Sequence, residues 1–122
     1  MSTIYRVGPE ERVEGQPTPG LVREQAVQTD RMWAGIARTD PGMVSGWHHH
    51  GEYESAIYVL SGSLQMEFGS KGEEAFEAGP GDFVFVGKHA VHRESNPSNE
   101  QANIVVVRAG QGDPVINVDG PG

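Results

Sequence analysis

Turn-forming residues cut this chain into pieces too short for a helical protein. Glycine occurs 17 times and proline 8 times among 122 residues, and many of them fall in clusters. The clusters are Asp40-Pro41-Gly42, Ser61-Gly62, Gly69-Ser70-Lys71-Gly72, Gly79-Pro80-Gly81, Asn96-Pro97 and the stretch from Gly110 to Pro114. Proline fixes φ and glycine admits positive φ, so each cluster is a place where the chain can reverse. Between them lie strand-like runs at Leu21 to Val27, Met32 to Arg38, His48 to His50, Ser55 to Leu60 and Ser63 to Phe68. Further runs follow at Ala75 to Glu77, Phe83 to Val86, His92 to Ser95, Ile104 to Arg108 and Val115 to Val118. No stretch carries apolar residues at helical spacing over the length of a helix. Eight to ten short strands predict an all-β domain, either a sandwich or a small barrel. Residues 1–20, broken by Gly8-Pro9, Gly15 and Pro17-Thr18-Pro19-Gly20, are expected to form an N-terminal arm with one short edge strand at Ile4 to Val7. Residues 21–122 form the single barrel domain.

Composition narrows the function. A chain of this length buries one core and not two. Its 17 acidic residues against 9 basic ones leave a formal charge of −8, which opposes binding to a polyphosphate backbone, and no basic cluster offsets it. Nucleic acid is therefore not an expected partner. Cysteine is absent, which removes disulfides, thiolate ligands and a cysteine nucleophile. No apolar run reaches the length of a signal peptide or a membrane span, so a soluble cytoplasmic protein is expected.

The histidines point to chemistry. All five lie between His48 and His92, in a His48-His49-His50 run followed by Glu54, and in a second segment holding His89 and His92. Alternate side chains of a strand share a face, so His48 and His50 project together and His49 points away. Two imidazoles on one face, joined by one or two further nitrogen or carboxylate donors, suit a divalent metal with positions left open. Iron(II) and manganese are the expected ions, with nickel, copper or zinc as alternatives. A barrel mouth would let the two segments meet although about 40 residues separate them.

Gly42, five residues, His48-His49-His50, three residues and Glu54 resemble the first cupin motif. Gly81, five residues, Gly87, Lys88, His89, Ala90, Val91, His92, three residues and Asn96 are similar to the second, with Gly87 where that motif has proline and His89 where it has glycine. The resemblance spans roughly Arg31 to Arg108 and implies a double-stranded β-helix, the jelly-roll barrel of single-domain cupins. It also implies that His48, His50 and His92 are metal ligands joined by an acidic residue. Spacing within the first motif makes that residue Glu54. Counting back from Gly62 by the family's usual six residues lands instead on Ser55, so a bulge at Glu54, substitution by Glu52, or water in the fourth position are all open.

Cupins host many reactions, so the fold does not choose among them. The expected role is a metal-dependent enzyme on a small organic substrate, either dioxygenase-like or acting as an isomerase or epimerase. The rival is a non-enzymatic module that binds or senses a sugar or organic acid. His89, beside the mouth, is the candidate catalytic acid or base. Arg38, Arg93 and Arg108 are candidates to grip a substrate carboxylate, and Trp33, Trp47 and Tyr58 to wall a pocket. Asn96 is expected to satisfy backbone groups at a turn. A homodimer is expected, with Ile4 to Val7 and Val115 to Val118 as strands available to a partner.

Overall fold

Along the central strands every second side chain is buried, and this alternation gives the sheets an inside. In Glu54–Ser61 the buried residues include Ser55, Ile57 and Val59, whereas Glu54, Ala56 and Leu60 face solvent. The computed structural model describes residues 3–122. Its strands are β1 (Val13–Glu14), β2 (Val22–Gln28), β3 (Met32–Thr39), β4 (His48–His49), β5 (Glu54–Ser61), β6 (Leu64–Phe68), β7 (Glu74–Ala78), β8 (Phe83–Val86), β9 (His92–Ser95), β10 (Ala102–Ala109) and β11 (Ile116–Asn117). They form two antiparallel sheets, in the orders β1-β2-β3-β10-β5-β8 and β11-β4-β9-β6-β7. Each of the ten runs expected from Leu21 onwards has a strand within a residue or two of its bounds. The fold is the double-stranded β-helix that the sequence predicts.

The two sheets close on one apolar core. Ile57, Val59, Ile104 and Val106 of the larger sheet meet Leu64 and Met66 of the smaller one. Register sorts the inner face of the larger sheet into rows. Gly35, Val106, Ile57 and Val84 lie side by side on adjacent strands, and so do Ala37, Ile104 and Val59. Each of the larger side chains contributes about 2 kcal/mol by leaving water. Nearer one end the row changes character and becomes Trp33, Arg108, Ser55 and Val86.

Gly35 makes that polar row possible. A Cβ on it would stand 2.1 Å from the Glu24 carbonyl oxygen and 2.7 Å from the Trp33 ring. The close approach falls where the pairing of β2 with β3 is interrupted between Gln25 and Val27. Trp33 lies against the bare glycine, and its indole Nε1 donates to Gln25 Oε1 at 2.9 Å.

The arm differs from expectation. No strand forms at Ile4 to Val7; a 3₁₀ turn at Pro9–Glu11 precedes β1, which pairs with β2 through Val13 and Gln25. Ile4 is 88% exposed and Tyr5 56%, so their apolar surface finds nothing in the barrel to cover it. The rest of the arm is tied to the C-terminal segment: Gln16 Nε2 donates to the Val115 carbonyl and Thr18 Oγ1 to Asn117 Oδ1. That segment pairs within the chain, β11 lying against β4. No helix among the described residues is long and apolar enough to cross a membrane.

Candidate metal centre

Strand pairing brings the two histidine segments together. His48 on β4 sits directly opposite His92 on β9, and His50 follows just past the end of β4 with its ring turned to the same side. The ring centroids are 4.4 Å apart for His48 and His92, 5.2 Å for His48 and His50, and 5.1 Å for His50 and His92. One nitrogen from each lies within 4.8 Å of the others, and all three residues are buried.

Hydrogen bonds decide which nitrogen faces inward. His48 Nδ1 lies 2.9 Å from the Gly46 carbonyl, His50 Nδ1 2.8 Å from that of Pro114, and His92 Nδ1 2.8 Å from that of Ala90. A carbonyl oxygen only accepts, so each Nδ1 carries a proton, and in the neutral ring each Nε2 then presents a lone pair. His48 Nε2 and His92 Nε2 are buried without any hydrogen-bond partner. Buried acceptors left unmet are rare and costly, and a ring fixed by its other nitrogen is how a metal-binding imidazole is ordinarily held. Burial, with the nearby Arg108 charge, pushes His50 down to about 2. Burial pushes His92 down to about 4. Both are neutral at physiological pH, as metal ligands must be. The donor set therefore fits a first-row divalent metal with three nitrogens and positions left over.

The acidic partner differs from expectation. Glu54 lies on the outer face of β5, exposed, because Ser55 occupies the inward position opposite Arg108. Glu52 is also exposed, on the rim. The carboxylate beside the imidazoles belongs to Glu94, which shares the inner face of β9 with His92 and is 4% exposed. Its Oε2 stands 3.5 Å from His48 Nε2. Burial alone would raise this carboxyl, but the Arg23 guanidinium near it favours the charged form and holds it below the usual carboxylate range. It is ionised inside the barrel.

His89 does not join the trio. Its side chain is 60% exposed on the rim, in a left-handed conformation of φ 57°, with Nε2 at 2.5 Å from Glu52 Oε2. That φ is where the second cupin motif places a glycine. Arg38 pairs with Glu24, and Arg93 pairs with Glu67 while lying over the Trp47 ring. Of the three arginines expected at a substrate, only Arg108 is interior, 2% exposed and stacked 4.4 Å from the Trp33 ring centre. Tyr58 packs on Phe83 away from the interior, its ring 4.8 Å away. Asn96 serves its turn, donating to the carbonyls of Thr39 and Glu100. A cavity of about 120 Å³, walled by Met66, Phe68, Phe76, Phe85 and Val86, reaches His92.

The cupin domain model matches residues 35–108, more than half of the chain. The protein is a cupin. No curated protein matches its sequence. Among solved structures, the cupin is similar to the polyketide cyclase RemF from Streptomyces resistomycificus at 23% identity and a TM-score of 0.76, covering 95% of this chain and 86% of that one. It is similar to an uncharacterized conserved protein with a double-stranded β-helix domain from Klebsiella pneumoniae at 22% identity and 0.74, covering 98% and 99%. A variant of oxalate decarboxylase from Bacillus subtilis follows at 18% identity and 0.71, covering 83% of the cupin and 29% of that chain. At these identities the likeness shows the fold alone.

Proposed function

We propose that this cupin is a mononuclear metal-dependent enzyme acting on a small organic molecule in the cytoplasm. The observation that carries the reading is the set of three buried imidazoles whose Nδ1 protons are given to backbone carbonyls and whose Nε2 atoms converge. Held by His48, His50 and His92, iron(II) or manganese would supply Lewis acidity or access to O₂ beside a bound substrate, for dioxygenase-like oxygenation or for isomerisation or epimerisation, and nickel, copper or zinc suit the same donors. Glu94, ionised and next to His48, is placed to take or return a proton on a ligand in that space. His89 has no part in this, since it faces solvent.

Elemental analysis by inductively coupled plasma mass spectrometry, on untagged protein purified without chelator, tests the reading. Near-stoichiometric first-row metal is expected, unchanged in Glu54→Ala because that carboxylate faces outward. Absence of metal even after anaerobic loading would replace the enzyme with the alternative, a cupin that binds a sugar or organic acid without catalysis.

We further propose a homodimer, formed through a different surface from the one the sequence suggests. Phe83 and Phe85 on the edge strand β8 are 76% and 69% exposed, beside Leu60 on β5. Pairing that edge with a second copy would cover them. Light scattering after size exclusion should give twice the chain mass; a monomer at micromolar concentration would refute it.

A further inference from the structure

Two guanidinium groups share the interior with the imidazoles, and each has buried nitrogens without a hydrogen-bond partner. Arg108 projects inward from β10 between Trp33 and Ser55. Its Nε and Nη1 are buried without a hydrogen-bond partner, and so is Ser55 Oγ. Arg23 points inward from β2, also 2% exposed; its Nη1 donates to the Gln16 carbonyl at 2.9 Å and to Thr18 Oγ1 at 2.7 Å, while Nε and Nη2 have no partner. Neither arginine forms a salt bridge among the described residues. Buried donors left unmet each cost of the order of 1–3 kcal/mol, so a structural role alone leaves this arrangement unexplained.

The charge balance points the same way. Two buried guanidinium groups, Arg23 and Arg108, face one buried carboxylate, Glu94, inside a chain whose formal charge is −8. Burial, together with the neighbouring Arg23, pushes Arg108 down to about 9, which reflects what an unpaired cation costs there. An anion would relieve both. Arg108, Ser55 and Val86 stand side by side on β10, β5 and β8, and Val86 also walls the apolar cavity that reaches His92. Two strand spacings, roughly 10 Å, separate the backbones of β10 and β8, so an acid with a short aryl or alkyl body suits a carboxylate end at Arg108 and an apolar end toward Val86.

We propose that Arg108, Arg23 and Ser55 form a carboxylate-binding subsite in the metal chamber, and that the ligand is a small organic acid with an apolar body. The inference rests on the proposed function for the chamber's chemistry, but arginine grips a carboxylate without any metal, so the two can fail separately.

Calorimetric titration with phenylacetate, phenylacetamide and inorganic phosphate tests it on the protein as purified. Phenylacetate is expected to bind, and the uncharged amide and phosphate at least about tenfold more weakly. Arg108→Met should lose phenylacetate by at least about tenfold. Stripping the metal with a chelator, with every side chain left in place, should keep phenylacetate binding. The proposal is overturned if phenylacetate does not bind or the amide or phosphate binds as tightly. Full binding by folded Arg108→Met, or loss of binding in the chelated protein, would also overturn it. Should Arg108→Met not fold, Arg23→Met carries the same comparison.

Discussion

His92→Ala and His48→Ala should each lower metal content at least about tenfold while the β-rich circular dichroism spectrum stays that of wild type. Both rings contribute an Nε2 that nothing else in the protein satisfies, so each removes a donor that the remaining two cannot replace. Neither ring belongs to the apolar cluster of Ile57, Val59, Ile104 and Val106, so the barrel loses little packing. His89→Ala is the matched control, because its ring is on the rim with Glu52 and its loss leaves occupancy as it was. Full occupancy in both His92→Ala and His48→Ala would dispose of the metal assignment.

Glu94→Ala should cost about 3 kcal/mol of folding stability, read as a shift of the urea midpoint at constant slope. Its carboxylate is the buried anion that faces Arg23, His48 and His92. Without it two guanidinium groups remain out of water with no opposite charge near them. Removing one member of a buried charged set strands the others, and Glu94→Gln, which keeps the shape and drops the charge, should lose most of the same stability. Glu54→Ala, on the outer face, should be neutral within about 0.5 kcal/mol. Equal stabilities for the two alanine variants would show that Glu94 is not the charge that balances the interior.

Much of this was legible in the sequence. Turn clusters such as Gly69-Ser70-Lys71-Gly72 and Gly79-Pro80-Gly81 locate the strand ends, because φ restrictions act locally. The histidines of both segments are also recognisable, since alternation on a strand is a local rule. The acidic partner is not, because the face a residue takes after a loop depends on register across the sheet: the pairing of Arg108 with Ser55 turns Ser55 inward and Glu54 out. Glu94 was within reach, as the same alternation that joins His48 to His50 joins His92 to Glu94. Arg23 was out of reach. It stands between Val22 and Glu24, and nothing local says that the arginine is the one of the three buried, with Val22 56% exposed. Ile4 to Val7 misled for a related reason, since apolar residues make a strand only where a neighbouring edge accepts them.

The imidazoles are aimed by the carbonyls of Gly46, Ala90 and Pro114, which belong to the main chain. Their orientation is thus written in the path of the backbone, and no point mutation of a neighbouring side chain deletes it. Phe68, Phe85, Trp33 and Arg108 can drift while the nitrogen donors stay in place. A barrel wired this way separates two inheritances: the donor geometry passes down with the fold, and ligand preference is free to diverge around it, one lining residue at a time.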